Sequence, residues 1–193
     1  MNRLFLPLLL VFSIFIRLYD LKNLPNGLYW DEQDTTYQAY SLLTTGRDYH
    51  GNFLPLFPHS FADYRTPVNI YFNVPLVKFF GLSYLPSRLT ASIFGLLTIP
   101  IIYLLIKKLM KNDGNAQMAA IFISFSPWHF LFSRYNGEIT AMLFFIFTGL
   151  LLYFRKKPIY SILFFVLSVA SYSPAKFFTP LLFLFLRPKF KHF

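Results

Sequence analysis

Apolar blocks near the length of a membrane crossing decide what this chain can fold into. They are Leu4–Ile16, Leu89–Ile106, Ala116–Phe132, Ile139–Phe154, Ile159–Tyr172 and Phe177–Leu186. A spanning helix takes about 20 residues, with a range near 17–25. The first block reaches that length if Arg17 snorkels and Tyr19 lies in the interface. The last is short and carries Pro180, which leaves five firm spans and a sixth that is less so. The blocks are continuous rather than striped, and hydrophobic residues make up 55% of the chain against 13% charged. Soluble chains carry roughly 25% charged residues, so lipid is the expected solvent for most of this one.

Charge then sets orientation. The formal net charge is +10, yet the positives gather in short clusters between blocks: Lys107, Lys108 and Lys111; Arg155, Lys156 and Lys157; Arg187, Lys189 and Lys191. That is the cytoplasmic-loop pattern of the positive-inside rule, and it argues against nucleic acid as a partner. With those clusters inside, alternate crossings put residues 20–88, the turn at Arg134–Glu138 and the turn at Ser173–Lys176 outside. Six of the 8 acids fall in residues 20–88 and Glu138 is also outside, leaving Asp113 within. Acidic and basic residues therefore give the same topology independently. The expectation is an all-α integral membrane protein, a polytopic helix bundle of about six spans forming one membrane domain over residues 1–193. Residues 4–19 are the first span, 20–88 an outer loop with surface helices, 89–186 the remaining spans and 187–193 a cytoplasmic tail. The stretch Arg17–Lys22 offers no small-residue cleavage site, so the first block reads as an uncleaved anchor. Cysteine is absent, which removes disulfide frameworks and thiolate metal sites.

The outer loop holds the densest chemistry. Trp30-Asp31-Glu32-Gln33-Asp34 places three carboxylates in four residues at a membrane face. Asp31–Leu43 reads as a helix closed by Gly46, and Val68–Phe80 as a second surface helix before Gly81. Asp31 at a helix start suits an N-cap, with Asp34 adding favourable charge to the first turn. The same position suits a proton acceptor or a cation ligand. Tyr64-Arg65-Thr66-Pro67 is the second candidate, because an arginine near the lipid surface can take a phosphate bidentately or can simply snorkel. The third is Ser126-Pro127-Trp128-His129 with Ser133-Arg134-Tyr135-Asn136-Gly137-Glu138, where Pro127 is expected to kink a helix near its outer end. It reads equally as a tight polar turn. Arg88 suits an anchor better than a ligand, and Lys176 alone is a weak phosphate candidate. No pair of histidines sits at zinc-ligand spacing, and no Gly-rich phosphate loop or serine elbow is present.

With those residues in view, the chain resembles the amino-terminal part of polytopic glycosyltransferases of the C superfamily. It is most similar to the dolichyl-phosphate-mannose protein mannosyltransferase-like group and the aminoarabinose transferases of lipid A. The resemblance rests on one anchor helix, then Asp31-Glu32 opening a surface helix, then the run Thr45-Gly46-Arg47-Asp48-Tyr49-His50-Gly51-Asn52-Phe53-Leu54-Pro55. Phe79-Phe80-Gly81-Leu82-Ser83 before Arg88-Leu89, Ser126-Pro127, Ser133-Arg134 and Glu138 follow in order, so it covers about Leu4 to Phe185.

The resemblance implies a plasma-membrane enzyme that takes a sugar from a polyprenyl-phosphate carrier at the outer face. It passes that sugar to a lipid, glycan or protein acceptor with inversion. Asp31 is implied as the catalytic base, with Glu32 beside it. Arg65, Arg134, Glu138 and Tyr64 are implied as substrate-binding residues. Relatives read Lys-Pro-Pro where this chain reads Arg65-Thr66-Pro67. Some members use a divalent metal ion and others do not; here Asp31, Glu32 and Glu138 would be its ligands. Members also continue with further spans and often a soluble domain, so the chain is expected to be a truncated portion. Two other classes compete: a transporter or permease fragment, which would keep its ionisable groups at mid-membrane, and a non-catalytic scaffold, in which Asp31, Glu32 and Glu138 would not share a cavity.

Overall fold

The computed structural model describes residues 4–27, 29–135 and 137–186; the expected basic tail at 187–193 lies outside them. In chain order the elements are α1 (Phe5–Leu18), α2 (Trp30–Thr45), β1 (His59–Ser60), β2 (Asp63–Tyr64), α3 (Pro67–Phe80), α4 (Leu85–Met110), α5 (Asp113–Phe125), α6 (Pro127–Tyr135), α7 (Gly137–Phe154), α8 (Pro158–Val169) and α9 (Ala175–Leu186). Local sequence sets many of these boundaries. Prolines open α3, α4 and α8 within their first two positions, where the missing N–H costs no helical bond. Gly46 closes α2 in the left-handed conformation, φ 68°, and donates its N–H to the Leu42 carbonyl. Asn112 caps α5 by accepting the Asn115 N–H at 3.1 Å.

Two expectations about the spans are corrected. The block Ala116–Phe132 is not one kinked helix: α5 ends at Phe125 and α6 begins at Pro127. Proline removes a donor and its ring blocks continuation, so the last carbonyls of α5 need other partners. One of those partners is Arg17, which does not snorkel. It is fully buried and donates from Nη2 to the Ser124 carbonyl (3.0 Å) and from Nε to Ser133 Oγ (3.0 Å), with His129 Nδ1 3.3 Å from Nη2. The broken helix gives this arginine a polar niche inside the bundle, and that niche outweighs the pull of the interface. The all-α expectation also omitted the two-residue antiparallel pair β1–β2, in which His59 faces Tyr64 and Ser60 faces Asp63.

α4 is the central post, packing against α1, α2, α3, α5, α6 and α7. Leu9, Ile99 and Ala120 form one apolar cluster, and Phe94, Ala141 and Phe145 another. Small polar residues are also enclosed along α4, where Ser87, Thr90, Ser92 and Thr98 are all buried. Large apolar side chains point outward instead, Phe15 at 63% exposure, Phe122 at 68% and Phe185 at 84%. That arrangement reverses a water-soluble fold and matches helices packed through small residues in lipid. α4, with 26 residues, and α7, with 18, are each long and apolar enough to cross a membrane. α1, α8 and α9 are apolar and shorter.

α4 and α7 begin side by side. A Cβ built on Gly137 would lie 3.2 Å from Thr90 Cγ2, so any side chain there would crowd the point where the two helices start. Both then end in basic clusters, α4 at Lys107, Lys108 and Lys111 and α7 before Arg155, Lys156 and Lys157. The acidic helix α2 packs near the opposite, opening ends through α3 and α4.

Candidate active site

The first turn of α2 separates its carboxylates by task. Tyr29, in extended conformation, is the N-cap residue, and Glu32 Oε2 reaches back to accept its N–H at 3.3 Å. That is the reciprocal arm of a capping box. Glu32 therefore takes the capping role that position alone assigned to Asp31, and Asp31 is released for a longer-range partner.

That partner is Arg65. Its Nη2 donates to Asp31 Oδ1 at 2.7 Å, and its Nε donates to Asp34 Oδ2 at 2.9 Å. Asp31 and Asp34 are three residues apart, so they share one face of α2 and can be bridged by a single planar fork. Tyr49 completes Asp34 by donating its hydroxyl to Oδ1 at 2.8 Å. Burial alone would lower the Arg65 pKa, but Asp31, Asp34 and the nearby Glu138 more than compensate and raise it, keeping the guanidinium charged.

Arg65 is delivered by the outer loop. The Asp48 carboxylate gathers that loop by accepting from the backbone N–H of His50, Asn52 and His59 and from the Asn52 side chain. Burial works against its charge, yet these donors win and hold its pKa below the usual carboxylate range. The β1–β2 hairpin leaves this knot, and the Arg65 N–H bonds the Pro58 carbonyl at 2.8 Å just before α3 begins. Tyr64 is 63% exposed and its ring meets His59 at a tilt, ring centroids 5.0 Å apart.

Two hollows flank the α2 turn. A narrow polar cleft of about 10 Å³ is lined by Asp31, Glu138, Asn69, Asn73, Thr90 and Tyr135, among others. It is water-sized. Asn69, in the amide orientation that satisfies both neighbours, donates to the Gly137 carbonyl (3.0 Å) and accepts the Glu138 N–H (2.8 Å), which fixes the start of α7 beside the cleft. The larger cavity, about 470 Å³, is lined by Asp34, Trp30, Tyr37, Phe61, Leu82 and Tyr84, among others. Arg65 joins the two hollows by holding a carboxylate from each.

Glu32 and Arg134 line neither hollow. Glu32 Oε1 accepts from Arg88 Nε at 2.8 Å, both side chains only 1% exposed. Arg88 also donates to the carbonyls of Leu21, Lys22, Pro25 and Gly27, tying the segment after α1 to α4. Arg134 does the same for the end of α1, donating to the carbonyls of Ile16, Arg17, Tyr19 and Leu24. Lys176 lies over the Phe57 ring at 5.8 Å. Of the six site residues named from sequence, the structure thus brings together Asp31, Arg65 and Glu138, and builds Glu32 and Arg134 into the surrounding frame. Among the described residues no three His, Cys, Asp or Glu side chains form a group that could hold a metal ion, so the set Asp31, Glu32 and Glu138 does not assemble as one.

Sequence reasoning gave Asp34 only a helix-end charge. Its three-residue spacing from Asp31 was the available signal; its partner Arg65 lies 31 residues further on. Tyr49 and Asp48 carried no comparable signal beyond their place in the Thr45–Pro55 run. A family model described as dolichyl-phosphate-mannose-protein mannosyltransferase matches residues 7–186 of this chain. No curated protein and no solved structure matches it.

Proposed function

Because this chain belongs to the dolichyl-phosphate-mannose-protein mannosyltransferase family, we propose that it moves a sugar from a polyprenyl-phosphate donor to an acceptor hydroxyl at the outer face of the plasma membrane. The acceptor is a lipid, glycan or protein. The observation that carries this reading is the contact of Arg65 with both Asp31 and Asp34 at the mouth of the bundle, with Glu138 across the cleft. It supplies a base and a phosphate ligand on one side of the helices. The basic ends of α4 and α7 lie on the other side, as an outer-face site in a six-span topology requires.

In this reaction Asp31 takes the proton of the acceptor hydroxyl. The acceptor oxygen attacks the anomeric carbon from the face opposite the phosphate. The bond from that carbon to the phosphate oxygen breaks as the new bond forms, so configuration inverts. The electron pair leaves with the lipid phosphate, and Arg65 meets the charge that develops there. Glu138 and Tyr64 bound the space in which the sugar is presented, and Glu32 and Arg134 hold the helices that carry it.

The test is Asp31→Asn in membranes or nanodiscs, assayed for transfer from a polyprenyl-phosphate sugar. Turnover is expected to fall by about 10²- to 10⁴-fold, the range for loss of a positioned general base. Near-normal turnover in a folded variant would remove Asp31 from this role.

A further inference from the structure

The two contacts made by Arg65 are alike in length and unlike in setting. Asp34 is almost wholly enclosed, its side chain 2% exposed, and its second oxygen is held by the Tyr49 hydroxyl. Asp31 is 50% exposed and contributes a single oxygen to Arg65. Breaking an enclosed, hydrogen-bonded ion pair is expensive, whereas an exposed pair exchanges partners at little cost. The guanidinium is thus fastened through Nε and replaceable at Nη2. With Nε fixed on Asp34 the planar fork keeps its orientation, and an anion that takes both Nη donors competes with Asp31 for Nη2.

We propose that Asp34 is a positioning residue, and that the donor's phosphate displaces Asp31 from Arg65 Nη2. Binding of the donor then frees the Asp31 carboxylate to take a proton. Before the donor arrives, one oxygen of that carboxylate is held by Arg65, and taking a proton would weaken that ion pair. After it arrives, the negative phosphate replaces the carboxylate on the guanidinium, and Asp31 is left beside the sugar it serves. Base and phosphate ligand are therefore coupled: the base becomes available when the leaving group is in place. This device rests on the assignment of Asp31 and Arg65 in the proposed reaction, and it adds Asp34 and Tyr49 to the residues on which that reaction depends.

The experiment is a binding titration of sugar-free polyprenyl phosphate against the full chain in nanodiscs, with turnover measured on the same preparations. Asp31→Asn removes the competitor for Nη2, so the phosphate should bind more tightly by about 2- to 5-fold, the factor equivalent to an exposed ion pair. Unchanged or weaker binding in that variant overturns the exchange. The two assignments fail separately, because turnover lost with unchanged affinity keeps Asp31 as base and removes the exchange. Tighter binding with turnover retained does the reverse. Asp34→Asn should weaken phosphate binding by about tenfold or more, as one net hydrogen bond to a charged group is lost. It should also raise KM for the donor more than it lowers kcat. Equal or tighter binding there overturns the positioning role. Should Asp34→Asn fail to fold, Arg65→Lys tests the same point, since an ammonium has no fork to share between Asp34 and a phosphate. Wild-type affinity in Arg65→Lys would overturn it.

Discussion

Asp31 and Glu32 are neighbours on one turn of α2, and each holds an arginine at nearly the same distance, 2.7 Å to Arg65 and 2.8 Å to Arg88. Their surroundings differ completely. Glu32 and Arg88 are 1% exposed each, and Arg88 spends its remaining donors on four backbone carbonyls. Asp31 is half exposed, and its partner divides itself between two carboxylates. Ion-pair distance alone would rank the two as equivalents. Burial and the fate of the remaining donors separate them into a pair locked inside the fold and a pair open to exchange with an incoming group. The helix period makes the division possible, because adjacent residues point about 100° apart and so serve different neighbours.

The harshest way to break this comparison is Arg88→Met. It leaves Glu32 charged and enclosed and strips four carbonyls of their donor, so a loss of about 3–5 kcal/mol is expected. Denaturant unfolding in detergent should show it, with transfer activity lost along with the fold. A variant as stable as the parent would show that the enclosed pair is not structural. Gly137→Ala comes next. The added Cβ would meet the Asn69 side-chain amide at 2.9 Å and Thr90 Cγ2 at 3.2 Å, so overpacking should cost about 1–3 kcal/mol. Because this clash lies where Glu138 enters the cleft, activity should fall more than stability alone explains.

A smaller effect concerns Asp48, whose charged form the folded loop favours. A depressed acid gives its full contribution above the ordinary carboxylate range and loses it as pH falls through the folded value. Residues 46–60 should therefore become more susceptible to proteolysis below about pH 4, the ordinary aspartate value. In Asp48→Asn that acid-dependent step should disappear. The smallest effect belongs to the exposed pair Lys107–Asp113 on the other end of the bundle. Asp113→Asn should leave stability nearly unchanged, as exposed ion pairs contribute little, and thermal unfolding should barely register it. A large shift there would mean that exposure is a poor guide to which pairs matter in this protein.

What could be read beforehand follows the range of the forces involved. The end of α2 was legible because Gly46 is a local stop signal, and α3 because Pro67 and Gly81 bracket an apolar run. The break at Pro127 was half legible. Proline announced a disturbance, but whether α5 bends or stops depends on what accepts its loose carbonyls. Arg17 supplies part of that answer from 107 residues away. The same long-range contact explains why Arg17 is enclosed rather than drawn to the interface. The hairpin at residues 59–64 was invisible to pattern reading, since strands of two residues have no period and this pair hangs from the Asp48 side chain. At the site, Asp31 and Arg65 were found as separate motifs. Nothing in their spacing joined them, and nothing in the acidic run told Asp31 from Glu32. That distinction arises when Tyr29 becomes the N-cap and Glu32 turns back toward it.

The division between Asp31 and Glu32 is tested most directly by purifying Asp31→Asn and recording its unfolding midpoint and its single-turnover transfer rate together. The account predicts a midpoint within a few degrees of the parent, as expected for an exposed pair, and a rate reduced by at least about 10²-fold. A rate near that of the parent, or a protein that no longer folds, would contradict it.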